Sequence, residues 1–222
     1  MTQTVSARRL NKRLPTMAEV LADGIVHAAA LVAGLVAFPI LLYHALVTAG
    51  IEVFAALAVY AAGFFLMWGF SLAYNMTPPS ALKWLLRRFD HSMIYVMIAG
   101  TYTAIIPHLA HAGWAWALGV VVWAGAVFGI LVKVVLPGRF DRLAVLAYIA
   151  LGWVGVFAIG PVAAALPVVS LWLLVAGGLT YVAGVAFYLW ERLRFQTAIW
   201  HGFVAVAAGL HFTAIAIAMA VG

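Results

Sequence analysis

The chain has 222 residues, 68% hydrophobic and only 8% charged, against about half and about a quarter in a typical soluble domain. Twelve Lys+Arg and six Asp+Glu cannot cover a soluble surface, so most of the molecule faces lipid and a soluble enzyme is excluded. With no cysteine, disulfides and thiolate chemistry are excluded, and the net charge of +6 sits in isolated basic clusters, so nucleic acid is not an expected partner.

Residues 1–18, MTQTVSARRLNKRLPTMA, form a polar, basic N-terminal tail. No short apolar core with a small-residue cleavage site precedes the first long apolar stretch, so the chain is expected to keep that stretch in the membrane. Apolar stretches follow at about 24–46, 53–74, 92–109, 113–135, 143–166, 168–190 and 198–221. Each is long enough to cross a hydrocarbon core of about 30 Å, which takes roughly 20 residues. They are apolar on every face, whereas a lipid-facing barrel strand alternates, so a β-barrel is excluded. The expected fold is an all-α membrane protein, a seven-transmembrane helix bundle in a single domain, 19–222.

The basic residues set the orientation. Arg8, Arg9, Lys12 and Arg13 precede the first span, and Lys83, Arg87 and Arg88 lie between the second and third. Lys133, Arg139 and Arg142 lie between the fourth and fifth, and Arg192 and Arg194 between the sixth and seventh. All twelve fall on one side, which the positive-inside rule makes cytoplasmic. The N-terminus is then cytoplasmic, the C-terminus outside, and the chain an integral membrane protein. Trp114, Trp116, Trp190 and Trp200 fall near span ends, where indoles anchor at the interface.

With the spans placed, most ionisable groups fall in one leaflet. Glu19, Asp23 and His27 open the first span; Ser71, Tyr74 and Asn75 end the second; Asp90, His91 and Ser92 open the third; Gln196, Thr197 and His201 open the seventh. Polar groups at membrane depth are costly and face the bundle interior, so this cluster is the candidate site. The bland alternative is that Asp23 and Asp90 cap helices and pair with Arg87 or Arg88. Glu19 and Asp23, Asp23 and His27, Ser71 and Asn75, and Thr197 and His201 are each four apart and share a helix face. His211 sits roughly 15 Å deeper than His201 and is expected to hydrogen-bond across helices. His44, His108 and His111 fall in the opposite leaflet.

The stretches LRRFDHSMIYVMIAGTYT (86–103), LAYIALGWVGVF (146–157), GGLTYVAGVAFY (177–188) and AIWHGFVAVAAGLHF (198–212) resemble the haemolysin III family, the bacterial branch of the progestin and adipoQ receptor (adiponectin receptor-like) membrane proteins. The resemblance implies seven spans, a cytoplasmic N-terminus, and a zinc ion held by one histidine at the end of the second span and two at the start of the seventh. It also implies a serine and an aspartate at the site, which fall on Ser71 and Asp90. The helix 2 histidine position carries Asn75, and the helix 7 pair falls on Thr197 and His201, so two of the three expected zinc ligands are absent. Near the first span the family's glutamate, asparagine and histidine correspond to Glu19, Asp23 and His27.

Zinc takes imidazole, thiolate or carboxylate donors, and neither an amide nor a threonine hydroxyl replaces an imidazole. The expectation is therefore a degenerate metal site without zinc, in a receptor-like or membrane-homeostasis protein whose cytoplasmic-side pocket binds a membrane lipid. The alternative is a ceramidase-like, metal-dependent membrane lipid hydrolase acting on an amide or ester, with Asp90 as base and Ser71 at the oxyanion. A pore-forming cytolysin, implied by the family's name, would need a polar stripe from leaflet to leaflet, and only residues such as Tyr60, Thr101, Thr180 and His211 interrupt the apolar core. The sequence sets no oligomeric state.

Overall fold

The structure, a computed structural model, describes residues 15–221. Arg8, Arg9, Lys12 and Arg13 of the basic tail lie outside the described residues. Thr16 starts α1 (Met17–Thr48): its hydroxyl accepts the Glu19 N–H, and Glu19 Oε2 accepts the Thr16 N–H at 2.8 Å. This reciprocal cap is spelled by Thr-Met-Ala-Glu and satisfies two amides that a helix start leaves open. α2 (Ile51–Met76) stops ahead of Pro78 and Pro79, because a proline pushes the preceding residue out of helical geometry.

Ser80 then caps α3 (Ala81–Ile105), accepting the Lys83 N–H at 3.2 Å, and a 3₁₀ turn, Ile106–His108, extends it. α4 (Ala112–Val135), α5 (Asp141–Gly152), a 3₁₀ turn (Val154–Ala158), α6 (Ile159–Ala165), α7 (Val168–Leu189) and α8 (Gln196–Val221) complete the chain, with no strand among the described residues.

Among the described residues, six segments are long and apolar enough to cross a membrane: α1, α2, α4, α7, α8, and the run Leu143–Ala165 that contains most of α5 and all of α6. α3 has comparable length but carries Lys83, Arg87, Arg88 and Asp90 in its first turns. It therefore begins well before residue 92, where its apolar part begins, because a capped helix continues through charged turns that hydropathy cannot see.

The fifth apolar stretch is not one helix, as its unbroken apolarity leads one to expect. Pro161 lacks the amide an interior helical residue needs, and Gly152, Gly155 and Gly160 weaken the flanking turns. Backbone opened at membrane depth has to find partners within the protein. Tyr102 supplies both: its hydroxyl donates to the Gly152 carbonyl at 2.7 Å and accepts the Gly155 N–H at 2.8 Å. Tyr102→Phe is expected to leave both groups unpaired and to cost about 1–3 kcal/mol, seen as a lower thermal midpoint in detergent.

α2 and α3 approach backbone to backbone. A Cβ at Gly100 would lie 3.1 Å from Tyr60 Cα, and one at Gly63 would lie 3.1 Å from the Val96 carbonyl oxygen. Glycine permits this proximity, which in lipid is a principal source of helix association. α1, α2 and α8 meet around Phe38, whose ring lies 5.2 Å from Tyr60, 5.1 Å from Phe64 and 5.1 Å from Phe212. These edge-on and tilted aromatic contacts brace the three helices whose ends carry the polar cluster.

Candidate functional site

The site sits where α1, α2, α3 and α8 converge. Asp23 and His27, one turn apart on α1, are 3% and 0% exposed, and Ser71 on α2 and His201 on α8 are also buried. His27 Nδ1 lies 2.8 Å from the Asp23 carbonyl oxygen, and His27 Nε2 lies 3.1 Å from Ser71 Oγ. His201 Nδ1 lies 2.6 Å from Asp23 Oδ1, and His201 Nε2 lies 3.3 Å from the same Ser71 Oγ. The two imidazoles meet edge to face with centroids 4.3 Å apart, and Trp68, three residues before Ser71, packs edge to face on His27 at 5.1 Å.

Asn75, one turn below Ser71, turns its amide inward along its own helix, donating to the Ser71 carbonyl at 2.9 Å and approaching Ser71 Oγ at 3.3 Å. Asp90 interacts with Ser71 and His201 from α3. Thr197 is half-buried in the cavity wall. Glu19, through Oε1, accepts the Phe195 N–H at 3.0 Å, tying the start of α1 to the turn before α8.

The remaining sequence-selected residues lie at the margin. His91 faces Asp90 and Asp141 at 3.7 and 3.8 Å, while its carbonyl accepts the Tyr148 hydroxyl. Tyr74 lies under Lys83, whose ammonium is 4.7 Å from the ring centroid and donates to the Tyr74 and Thr77 carbonyls at the end of α2. Ser92 is fully buried and its hydroxyl has no hydrogen-bond partner among the described residues. His211 lies apart, with Nε2 3.1 Å from the Leu174 carbonyl oxygen of α7, the cross-helix bond its depth leads one to expect.

Arg87 pairs with Asp141, and no lysine or arginine among the described residues forms an ion pair with Asp23 or Asp90. The bland pairing of Asp23 or Asp90 with Arg87 or Arg88 is thus not what the structure shows. Sequence reasoning missed the partner, Asp141, and treated Lys133 as a topology marker. Lys133 is 2% exposed and reaches Asp141 at 2.8 Å. At this site outside the spans, burial acts to raise the Asp141 pKa, but the Lys133 hydrogen bond and the Arg87 and Lys133 charges outweigh it and hold the carboxyl below the usual carboxylate range.

A cavity of about 730 Å³ opens beside the cluster. Asp23, Ser71, Asp90 and His201 line one end; Met97, Ile105, Leu118, Val162 and Leu171 line the far wall. Its size falls within the range of about 300–1,000 Å³ usual for small-molecule sites, with a few polar groups set in apolar walls.

These features define an all-helical integral membrane protein with a buried Asp–His–Ser–His cluster at one end of an apolar cavity. A family model described as haemolysin-III related matches residues 17–212, and the chain belongs to that family. It is 35% identical over 195 residues to Hemolysin-3 of Bacillus cereus, covering 87% of this chain and 89% of that protein. It is 39% identical over 122 residues to a Hemolysin-3 homolog of Bacillus subtilis (strain 168), covering 55% of this chain and 57% of that protein. No solved structure matches the chain.

Of the three zinc ligand positions that the family resemblance assigns, only His201 offers a strong donor. The Asn75 amide is engaged with Ser71, and Thr197 brings a hydroxyl. That set does not fit zinc.

Proposed function

We propose that this chain is a receptor-like or membrane-homeostasis protein of the bacterial inner membrane that binds a membrane lipid. The polar group of the lipid lies against Ser71, Asp90 and His201, with its acyl portion in the apolar part of the cavity. The carrying observation is the cavity itself, with a polar end at the convergence of four helices and walls of isoleucine, leucine, valine and methionine. Burying an acyl chain there contributes about 0.8 kcal/mol per methylene relative to water, although a lipid already in the bilayer gains only the difference in packing. Polar contacts at the Ser71 end therefore decide which headgroup binds.

The test is lipid extraction from detergent-purified protein followed by mass spectrometry. A defined acyl lipid in stoichiometric amount is expected, and Ile98→Trp, which enlarges a side chain that lines the cavity, is expected to reduce it several-fold. Recovery of the same bulk-lipid mixture from both proteins would count against the reading.

In this reading α3 is a seventh span, the N-terminus is cytoplasmic and the Asp23 end of the bundle lies in the cytoplasmic leaflet. The absence of cysteine makes this simple to check. Ala110→Cys in intact cells is expected to react with a membrane-impermeant maleimide, and Pro78→Cys only after the cells are opened. The reverse pattern would invert the topology.

A second reading, hydrolysis of a lipid amide or ester, is favoured by the series Asp23 Oδ1, His201 Nδ1, His201 Nε2 and Ser71 Oγ, which places carboxylate, imidazole and hydroxyl in line. Turnover of a lipid amide or ester by purified protein, lost in Ser71→Ala, would replace the first reading by this one.

A further inference from the structure

Away from Ser71, the cavity carries a second polar pair. His211 lines it from α8 and Tyr181 from α7, and their rings meet edge to face with centroids 5.5 Å apart. His201 and His211 both line the cavity and are ten residues apart on α8, which places them roughly 15 Å apart along the helix axis. The pair therefore lies deep in the bundle, well separated from the cluster at the convergence of the four helices.

The Leu174 carbonyl oxygen can only accept, so His211 Nε2, 3.1 Å from it, carries the proton of a neutral ring. Gly177 makes room for that edge of the imidazole: a Cβ there would collide with His211 Cδ2 and lie 2.6 Å from Nε2. Nδ1 is the ring atom opposite the Cδ2–Nε2 bond, so it is turned away from α7, and it has no hydrogen-bond partner among the described residues. The Tyr181 hydroxyl has none either. Tyr60 on α2 is fully buried, its hydroxyl also lacks a partner among the described residues, and it is close enough to Tyr181 for the two phenols to interact electrostatically.

A bare acceptor and an unused donor on the wall of a cavity at membrane depth lose the hydrogen bonds that water would supply, and hydrocarbon laid against them returns none. A plain acyl chain matches the isoleucine, leucine and valine of the walls but not this point. His211 Nδ1 needs a donor, and the Tyr181 hydroxyl has a proton to give. A hydroxyl group meets both at once, donating to Nδ1 and accepting from Tyr181, whereas a ketone or ether oxygen can only accept.

We propose that the lipid held in this cavity carries a hydroxyl group partway along its hydrocarbon chain, roughly 15 Å from its head group, and that His211 and Tyr181 recognise it. This rests on the lipid reading of the cavity and adds the chemical class, a hydroxylated chain. A site built around a hydroxyl rejects the analogue that lacks it, because its own polar groups are then left unpaired.

The test is a competition followed by native mass spectrometry, in which purified, delipidated protein in detergent is offered equal amounts of ricinoleyl alcohol and oleyl alcohol. The two share head group, chain length and double bond and differ by one mid-chain hydroxyl. The parent is expected to favour ricinoleyl alcohol about tenfold, and Tyr181→Phe, which removes a single oxygen, to bring the ratio close to one. Because the readout is a ratio of two ligands on one protein, partial unfolding of the variant lowers both and does not erase a preference. Equal binding of the two alcohols by the parent would overturn this inference alone, leaving water as the partner of His211 and Tyr181. A preference that survives in Tyr181→Phe would overturn it as well, by placing the selectivity elsewhere. Binding of neither alcohol would overturn the lipid reading along with it.

Discussion

Asp141→Leu is expected to destabilise the protein by about 3–5 kcal/mol, since it removes the one carboxylate that serves both Lys133 and Arg87. Lys133 is the heavier loss: its ammonium is 2% exposed on α4, Asp141 is its ion-pair partner, and the substitution leaves it charged in a low-dielectric surround. The double variant Lys133→Met/Asp141→Leu is expected to recover most of the loss, because a matched apolar pair replaces a buried ion pair at little cost. Thermal midpoints of the parent, the two single variants and the double variant in one detergent give the comparison, and a double variant no better than Asp141→Leu would show that the charge is not the cause. The same pair sets a pH dependence. With the folded Asp141 pKa below its unfolded value, the ionised carboxylate contributes stability above the ordinary carboxylate range, and that contribution is lost as pH falls through the folded value. The parent midpoint is therefore expected to drop on acidification below that range, and the double variant to lose this component.

Gly100→Leu is the second large effect. Its Cβ alone would sit 3.1 Å from Tyr60 Cα and 3.2 Å from the Val59 carbonyl oxygen, and backbone cannot rotate aside as a side chain can. The remaining leucine atoms can fit only if α2 and α3 separate, so the cost is expected at or above the upper end of the usual overpacking range of about 1–3 kcal/mol. Gly209→Leu on α8, where a Cβ meets nothing within 4 Å, is the control and is expected to be nearly neutral. Comparable expression and melting for the two variants would show that the α2–α3 contact is not a determinant of stability. Separation of these helices would also part Ser71 from Asp90, so lipid retention is expected to fall with stability in Gly100→Leu.

The membrane character was legible because it depends on sums over long stretches, and four-residue spacings correctly put Asp23 with His27 and Ser71 with Asn75 on common faces. Which atoms meet was not legible. His27 and His201 are 174 positions apart, and their convergence on Ser71 follows from how α1, α2 and α8 are rotated about their axes, which apolar residues on every face leave undetermined. Depth alone separated His211 from the cluster, and its bond to the Leu174 carbonyl agrees. The break after Gly152 escaped hydropathy because glycine, valine and phenylalanine all count as apolar; the signal present in the sequence was Gly-x-x-Gly followed by Gly-Pro at 160–161. Lys133 was visible as a charge, and Asp141 eight residues later was its available partner, but a rule that counts only lysine and arginine takes no account of aspartate.

The tie between Glu19 and the Phe195 amide has a consequence for biosynthesis. Glu19 both caps the first helix and holds the turn that launches the last, across 176 positions of chain. A chain emerging from the ribosome N-terminus first must therefore keep α1 waiting, with Asp23 and His27 lacking their α8 partner, until the final helix has been made and inserted. Any molecule truncated before residue 195 lacks His201 and this tie, so a finished polar cluster reports that synthesis has reached its last helix.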